Sequence, residues 1–425
     1  MIDLVEYISS GHTPYKHDMK AGDVKFITVE CIDGITLNED KLKRITSEQY
    51  ENEFKNNRVV KNSIVCTIKR RICKAFAFAD EPRFPLAMNQ DVAFFIPKTK
   101  INSTYLATYL SCKIGQTFAN RQKTEQINPY ISVANLSSLP IFLCSDTFQL
   151  EIERLVKSAH AKLEESKTLY AEAEKMLLDE LGLSNWQPST ENVAVKSLKE
   201  SFLETGRLDA EFYQPKYDEL KEIIRTNAKY VRDVSSIAIY NQRGEQPRYV
   251  ANGDLRVINS KHILEQHLDY DNFERTSSNE WNSEPTAQVF KNDILIYTTG
   301  ANVGRTNVYL SDEKALASNH VNILRVENEN AIYVSFVLNS LVGRMQTRQI
   351  ITGSAQAELY SNAIAKFIVP FVDKSIQEKI IKNVQESFFA QNQSKQLLEL
   401  AKHAVEVAIE QDENVALAMI KEKTN

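Results

Sequence analysis

The sequence is poor in cysteine, histidine, glycine and tryptophan. Its 425 residues include five cysteines, seven histidines, twelve glycines and two tryptophans. The cysteines form no CxxC pair, and no two histidines have the spacing of HExxH or of a zinc finger, so the common zinc-binding patterns are excluded. We therefore expect no metal site. We expect buried thiols in a reducing compartment at Cys31, Cys66, Cys73, Cys112 and Cys144.

Long apolar runs are absent as well. No stretch approaches the roughly 18 uncharged apolar residues that a transmembrane helix requires. The first residues, IDLVEYISS after Met1, show no basic segment followed by an apolar one, so no signal peptide is expected. These two absences predict a cytoplasmic protein with no membrane partner.

Catalytic signature motifs are missing too. The stretch GANVGRT (300–306) is similar to a phosphate-binding loop, but its glycines are four positions apart instead of five, and Arg305 stands where the loop needs lysine. It is therefore predicted to be a hairpin turn bounded by glycine. The sequence contains no GxGxxG, no GxSxG and no Asn-Pro-Pro-aromatic tetrapeptide. The chain is predicted to bind a partner and to catalyse nothing.

What the sequence does contain is a long internal repeat. TGSAQAELYSNAIAKFIVP (352–370) matches TEQINPYISVANLSSLPIF (124–142) at a constant offset of 228 residues, and the same offset pairs Gly343 with Gly115. Half the chain length is far longer than the roughly 20 to 50 residues of a solenoid repeat. The repeat therefore predicts a duplicated domain.

Both copies show the same order of elements. Short segments rich in β-branched and aromatic residues predict strands of a mixed sheet. They are FITVECI, SIVCTI, AFAFA and VAFFIP in the first copy, and LRVINS, DILIYTT and HVNILRV in the second. Apolar residues at helical spacing follow at 104–122 and at 333–349. This order predicts two α/β domains in tandem.

Each copy ends in a long amphipathic helix, predicted at 147–183 and at 374–413. The apolar stripe of the first contains Ile152, Leu155, Ala159, Leu169, Ala173 and Met176, and that of the second contains Ile381, Val384, Phe388, Leu398, Ala401, Val405 and Ala408. At 1.5 Å per residue each helix is roughly 55 Å long, which favours a spacer made of two helices in an antiparallel coiled coil. The alternative is that each helix only covers its own domain.

The predicted fold class is α+β, with two tandem α/β domains, each followed by a long helix, and a pseudo-twofold symmetry between the halves. The predicted domains are a first α/β domain at 1–146, a long helix at 147–183, a linker at 184–214, a second α/β domain with a leading helix at 215–373, a long helix at 374–413, and a C-terminal tail at 414–425.

Charge is unevenly distributed, although the net charge is only −5. Two tracts of the first copy, 54–79 and 92–124, are rich in Lys and Arg and contain no Asp or Glu. Such a surface, interleaved with Asn, Gln and Thr, is typical of contact with phosphates and base edges. The alternative is a set of solvated basic loops. The second copy is less basic and richer in Asn and Gln.

The duplicated domains and paired helices are similar to a known family. The stretches RLDAEFYQPKYDEL (207–220), YTTGANVGR (297–305), TGSAQAEL (352–359) and FIVPFVDKSIQEKI (367–380) carry this resemblance, and their order covers nearly the whole chain. The sequence resembles the specificity (S) subunit of type I restriction-modification systems. The first copy departs from the pattern, because TIKRRICKA (67–75) has no glycine where the second copy has TTGANVGRT.

The resemblance implies a non-catalytic, sequence-specific DNA-binding subunit. Two target-recognition domains would each read one half of a bipartite site in double-stranded DNA. The long helices would hold them at a fixed spacing and dock two modification (methyltransferase) subunits, and a restriction (motor-nuclease) subunit would join the complex. The resemblance places S-adenosylmethionine, ATP and Mg²⁺ in those partner subunits and no cofactor in this chain.

The candidate DNA contacts combine these expectations with the charge pattern. They are Lys69, Arg70, Arg71, Lys74, Arg121, Lys123 and Gln126 in the first copy, and Asn302, Arg305, Arg348, Gln349, Ser354 and Gln356 in the second. Two other functions remain open: an S-type subunit of a type IIB-like system, in which the nuclease is fused to the methyltransferase, and a coiled-coil scaffold whose globular domains bind protein.

Overall fold

The computed structural model describes residues 1–15, 22–55, 57–124, 127–351 and 357–424. By its internal contacts the chain divides into two compact units. Unit 1 consists of Met1–Glu164 together with Ala390–Asn425, and unit 2 consists of Glu165–Phe389. Both long helices contribute residues to each unit, so the units do not coincide with two consecutive halves of the chain.

Unit 1 is built on small sheets. Its strands are β1 Val5–Ser10, β2 Val24–Ile27, β3 Ile32–Asp33, β4 Thr36–Leu37, β5 Lys43–Ile45, β6 Ile64–Thr67, β7 Ala75–Ala77, β8 Leu86–Met88 and β9 Val92–Pro97. The largest sheet has the order β1-β9-β6-β7 and is antiparallel. A second sheet, β5-β2-β8, contains the parallel pair β2 and β8, so the predicted mixed sheet is confirmed.

The helices of unit 1 cover these sheets. They are α1 Ser47–Glu53, α2 Ser103–Ser111, α3 Lys113–Gln122, α4 Val133–Ser137 and the first part of α5 Asp146–Glu180. Every residue of α2 is buried, including two serines and two threonines. Its side chains join those of the largest sheet and of α5 in the main hydrophobic core of the unit.

Unit 2 repeats this plan. Its strands are β10 Tyr230–Asp233, β11 Ala238–Arg243, β12 Leu255–Ile258, β13 Glu274–Thr276, β14 Gln288–Val289, β15 Ile294–Tyr297, β16 Thr306–Val308, β17 Ala315–Ala317, β18 Val321–Val326 and β19 Ile368–Phe371. The antiparallel sheet β11-β18-β15-β16 has the connectivity of β1-β9-β6-β7, and the parallel pair β12 and β17 corresponds to β2 and β8.

The helices of unit 2 also follow the order of unit 1, with two added at the start. They are α6 Pro215–Asn227, α7 Val234–Ile237, α8 Glu280–Ser283, α9 Ala331–Asn339, α10 Leu341–Ile351, α11 Ser361–Ile364 and the first part of α12 Lys374–Glu410. The leading helix α6 begins at a proline in its first turn, as predicted. It packs Tyr217, Leu220 and Ile224 into the core of the unit.

The duplication extends to single hydrogen bonds. The buried side-chain amide of Gln149 donates to the Cys144 carbonyl at 2.8 Å. In unit 2 the Gln377 amide donates to the Val372 carbonyl at the same distance, 2.8 Å. The two donor residues are 228 positions apart in the sequence, and so are the two acceptor residues. The two units are therefore copies of one fold, which confirms the duplication.

The region predicted as one helix in each copy is a pair of helices. The chain is extended at Cys112, between α2 and α3, and at Ser340, between α9 and α10. A Cβ atom at Gly115 would lie 2.0 Å from a carbonyl oxygen of the preceding helix, and one at Gly343 would lie 1.8 Å from such an oxygen. Only glycine permits this close approach, which explains why the repeat pairs these two residues.

Buried positions recur along both long helices at alternating steps of three and four residues. In α5 these positions are Gln149, Ile152, Val156, Ala159, Leu163, Ser166, Tyr170, Ala173 and Leu177, of which Leu163 is only half-buried. Leu169 and Met176, expected on the stripe, are only half-buried because Tyr170 and Leu177 take the inner positions. A period of 3.5 is typical of coiled coils. Knobs-into-holes packing along the full length and the pseudo-twofold symmetry stay predictions.

Within unit 2 the two long helices run antiparallel. The Ser166 and Ser387 hydroxyl oxygens lie 3.0 Å apart, and both side chains are buried. Further along, the Asn383 amide donates to the Glu172 carboxylate at 3.4 Å. Residue numbers fall in α12 as they rise in α5, which defines the antiparallel direction.

The last residues, expected as a tail, form a helix, α13 Glu413–Thr424. The Asp412 carboxylate accepts hydrogen bonds from the N–H groups of Asn414 and Val415 at 2.7 and 3.0 Å. This satisfies free donors at the start of the helix. Ala416 and Ile420 are buried in the core of unit 1. The first α/β unit therefore takes part of its core from the C-terminal part of the chain.

The cysteines are as predicted: all five are free and buried. Within the described ranges, no helix has the length and apolar character needed to cross a membrane. The same residues contain no group of three or more His, Cys, Asp or Glu side chains arranged to hold a metal ion.

Candidate nucleic-acid interface

In unit 1 the loop 68–74 joins β6 to β7 and carries the predicted basic residues. The loop is closed by a hydrogen bond of 2.8 Å from the Cys73 N–H to the Thr67 carbonyl. Arg70 and Cys73 have positive φ angles of 63° and 53°. Residues other than glycine adopt this conformation at a cost of roughly 1–2 kcal/mol, so the surrounding contacts must fix it.

A second segment supplies those contacts. The Arg70 N–H donates to the Pro129 carbonyl at 2.8 Å, and the Ile131 N–H donates to the Ile68 carbonyl at 2.9 Å. Lys69 and Tyr130 form an isolated antiparallel bridge. The loop 68–74 and the segment 127–131 therefore form one surface, which we call rim 1. The predicted contact Gln126 lies outside the described residues.

Three of the four cations of rim 1 are paired with carboxylates. Lys69 Nζ lies 3.4 Å from Asp91 Oδ1, and Arg70 Nη1 lies 3.3 Å from Glu30 Oε1. Arg71 pairs with Asp33. The basic tract contains no Asp or Glu of its own, but the fold brings these carboxylates to it from other segments. The basic face expected from the sequence is therefore partly neutralised.

The remaining predicted residues of unit 1 lie close to this surface in the chain. Arg121 is exposed in the last turn of α3, and Lys123 is half-buried just after it. Lys74 is half-buried at the end of the loop. Burial lowers the pKa of the Lys74 ammonium, and the charge of Asp33 acts in the opposite direction.

In unit 2 the loop 298–305 joins β15 to β16 as the predicted hairpin. The Gly304 N–H donates to the Tyr297 carbonyl at 2.9 Å, the counterpart of the bond that closes the loop in unit 1. Gly300 and Gly304 have positive φ angles of 123° and 92°. The turn is therefore retained in unit 1 without glycine, because Arg70 and Cys73 take up positive φ angles at the corresponding places.

A second segment again lies against the loop. The Leu359 N–H donates to the Thr298 carbonyl at 2.8 Å, and the Gly300 N–H donates to the Ala357 carbonyl at 3.3 Å. Thr299 and Glu358 form a bridge. The loop 298–305 and the segment 357–360 form rim 2, built as rim 1 is. Ser354 and Gln356, predicted as DNA contacts, lie outside the described residues.

The predicted residues of unit 2 have different exposures. Asn302 and Arg305 are half-buried on the loop of rim 2, and Arg348 is exposed on α10. Gln349 is only 6% exposed. Its amide donates to the Phe212 carbonyl at 3.0 Å and accepts from the Lys221 ammonium at 3.0 Å. Gln349 therefore holds α10 against α6 and the segment just before it. The side chain is too buried to contact DNA, which corrects the prediction.

Sequence reasoning missed Arg243, at the end of β11. Its guanidinium contacts the Glu358 carboxylate at 2.6 Å and donates to the Leu359 carbonyl at 2.8 Å. It also lies 4.7 Å from the ring centroid of Tyr360. Arg243 thus holds the second segment of rim 2 in place, although it lies more than a hundred residues earlier in the chain. No local pattern indicates such a partner.

Rim 2 and the adjoining turn before β18 contain buried polar side chains that the sequence did not indicate. Four buried side-chain oxygens there have no hydrogen-bond partner among the described residues. They are the hydroxyl oxygens of Thr298, Thr299 and Ser318 and the side-chain amide oxygen of Asn319. The Thr298 N–H donates to the His320 carbonyl at 3.1 Å, which connects the two groups. Such atoms are rare in folded proteins. They add hydrogen-bonding groups to the polar character of this rim.

The sequence matches one protein-family model twice. The model describes the type I restriction modification DNA specificity domain, and it matches residues 2–175 and 229–400. The chain belongs to this family. Each specificity domain runs from the first strand of an α/β unit into a long helix. The two matches together cover most of the chain. Membership supports a role in DNA sequence specificity.

Solved structures of related subunits are similar to this specificity protein. The S subunit of the type I restriction-modification system from M. genitalium is 13% identical with a TM-score of 0.42, over 94% of this chain and 91% of that chain. The HsdS subunit from Thermoanaerobacter tengcongensis is 13% identical with a TM-score of 0.30, over 97% and 95%. A chain from a structure on assembly and conformational transition of the type I R-M system is 12% identical with a TM-score of 0.31, over 96% and 95%. No curated protein matches the sequence.

Proposed function

We propose that this chain is the DNA-recognition subunit of a type I restriction-modification complex and reads a bipartite site in double-stranded DNA. The observation that carries the proposal is the presence of two equivalent rims, each a hairpin loop braced by a second segment, with different side chains. Unit 1 presents Arg70 and Arg71 where unit 2 presents Gly300 and Asn302. Two copies of one scaffold with different polar residues suit two different half-sites.

The side chains of the rims have the chemistry for reading bases. Arg and Lys bind the O6 and N7 atoms of guanine, and Asn and Gln bind the N6 and N7 atoms of adenine. Each good bidentate contact discriminates by roughly 1–3 kcal/mol, so a few per unit separate a target from other sequences. In this proposal Arg70, Arg71, Asn302 and Arg305 read bases. The exposed cations Arg121 and Arg348 contact phosphates.

The proposal assigns assembly to the long helices, which dock two methyltransferase subunits, and a motor-nuclease subunit then completes the complex. Leu150 on α5 is 60% exposed and Phe389 on α12 is 64% exposed, although both helices bury their inner faces. The linker adds further exposed apolar side chains, which include Val195, Phe202 and Leu208. Exposed large apolar side chains of this kind are available to a protein partner.

Catalysis is assigned to the partners in this proposal. The methyltransferase subunits use S-adenosylmethionine, the motor-nuclease subunit uses ATP and Mg²⁺, and this chain holds no cofactor. A type IIB-like complex, with nuclease and methyltransferase fused, would use the chain in the same way. A coiled-coil scaffold that binds only protein is the competing function, which the exposed apolar linker would also suit.

The test is DNA binding by the chain purified together with its methyltransferase subunit. Duplexes selected from a random pool by this complex are expected to share two short specific sequences separated by a gap of constant length and free sequence. Footprinting is expected to show protection of both halves. If the complex forms but selects no sequence, the chain is a scaffold and the proposed function is wrong.

A further inference from the structure

Three consecutive cations of rim 1 each meet a carboxylate from a different part of unit 1. Glu30 lies in the 3₁₀ turn Val29–Cys31, Asp33 in β3, and Asp91 just before β9. They pair with Arg70, Arg71 and Lys69 in turn. These segments are close in space because β2, which leads to the first two, pairs in parallel with β8, which leads to the third. The fold therefore directs one carboxylate at each cation.

The pairs leave hydrogen-bonding capacity on the arginines. Each contact joins a single guanidinium nitrogen to a single carboxylate oxygen, Nη1 in Arg70 and Nη2 in Arg71. A guanidinium has five N–H donors, so the others stay available. The two arginine side chains are 59% and 39% exposed. A paired arginine therefore still has donors to offer to the edge of a base.

Charge pairing affects the two kinds of DNA contact differently. Attraction to a phosphate depends on net charge, and a neighbouring carboxylate cancels the attraction and repels the phosphate. A hydrogen bond to guanine is made to acceptor atoms that carry only partial negative charge, so the carboxylate opposes it less than it opposes a contact with a phosphate. Pairing therefore weakens phosphate contacts more than base contacts.

We propose that Glu30, Asp33 and Asp91 are specificity-determining residues, which keep the three paired cations of rim 1 from binding phosphates and so favour base contacts by Arg70 and Arg71. The proposal rests on the proposed function and deepens it. Glu30 is suited to this role: burial alone would raise the pKa of its carboxyl, but hydrogen bonds from backbone and from Thr28, with the charge of Arg70, lower it. The carboxylate is therefore ionised at neutral pH.

Unit 2 has no carboxylate at the position that corresponds to Asp91. The Asp91 carbonyl accepts from the Ile68 N–H at 3.0 Å, and the His320 carbonyl accepts from the Thr298 N–H at 3.1 Å, so the two residues correspond. Histidine replaces the carboxylate there. The pairing made by Asp91 in rim 1 therefore has no counterpart at this position in unit 2.

The experiment compares the triple variant Glu30→Gln, Asp33→Asn, Asp91→Asn with the wild type, each in complex with the methyltransferase subunit. The probes are a duplex selected from a random pool by the wild-type complex and an unrelated duplex of equal length. Affinity for the unrelated duplex is expected to rise about tenfold at low salt. The slope of log affinity against log salt is expected to steepen by about 0.9 for each additional phosphate that the variant neutralises. Affinity for the selected duplex is expected to rise less. The specificity ratio, which is the affinity for the selected duplex divided by that for the unrelated duplex, therefore falls.

The control removes the same charge elsewhere in unit 1, with Glu6→Gln, Glu39→Gln and Asp40→Asn. These side chains form no ion pair with a described residue and are exposed. The control variant is expected to keep the wild-type ratio. If both variants bind the unrelated duplex more tightly by the same factor, or if neither binds it more tightly, the inference is wrong. Failure of the proposed function is seen separately, because the wild-type complex would then select no duplex.

Discussion

Replacing Arg70 and Arg71 together with glutamine is expected to abolish discrimination within one half of the DNA site and leave the other half unchanged. Each arginine that reads a guanine supplies roughly 1–3 kcal/mol, so the two together supply roughly 2–6 kcal/mol, and the double variant loses about 30-fold or more in affinity for the selected duplex. Base substitutions in the half-site read by unit 1 then no longer matter. Substitutions in the half-site read by unit 2 keep their full effect.

The measurement is a binding titration against duplexes that carry single base changes in each half. The matched control is Lys41→Gln with Lys55→Gln, which removes two exposed cations of the same unit that belong to neither segment of rim 1. The control is expected to change affinity slightly and specificity not at all. A loss that is uniform across all base changes would mean that Arg70 and Arg71 contact only phosphate, which contradicts their role as base readers.

Inserting seven residues into both long helices is expected to lengthen the unread gap of the DNA site by about three base pairs. The insertions belong between Ser166 and Tyr170 in α5 and between Val384 and Ser387 in α12, where the two helices face each other in unit 2. Seven residues preserve the alternating steps of three and four, so the buried positions stay inside. They add about 10.5 Å, and DNA rises about 3.4 Å per base pair.

Methylation mapping of the variant reads the result directly. The two half-site sequences are expected to be unchanged, with methylation absent at the original spacing and present at the longer one. Two residues inserted at the same points provide the control, because they turn the buried positions outward and should abolish assembly. Methylation at the original spacing in the seven-residue variant would show that the helices do not set the gap.

The repeat made much of the fold predictable from the sequence. The pairing of Gly115 with Gly343 helped to define the duplication, and short segments rich in β-branched and aromatic residues indicated the central strands, since these features depend on neighbours in the chain. The break between the two helices next to each of these glycines was not predicted. The long helices were predictable for the same reason. The buried faces of these helices were less predictable, because they include polar residues such as Ser166, which is buried in the structure.

The candidate interface was only partly predictable. The loop of rim 1 was visible as a basic tract, but its partners Glu30, Asp33 and Asp91 come from other segments, and a linear charge pattern does not contain them. Gln349 was misassigned because an amide on an amphipathic helix looks exposed until its partners are known. These contacts depend on tertiary structure, which one sequence does not encode in a local pattern.

The central claim, two readers of one bipartite site, is tested most directly by sequencing DNA methylation in host cells with and without this chain. The prediction is a single motif of two short specific sequences separated by a gap of fixed length, methylated on adenine. This methylation is lost when the chain is removed and restored when it is supplied again. An unchanged methylation pattern after removal, or loss of a motif that is continuous, would contradict the claim.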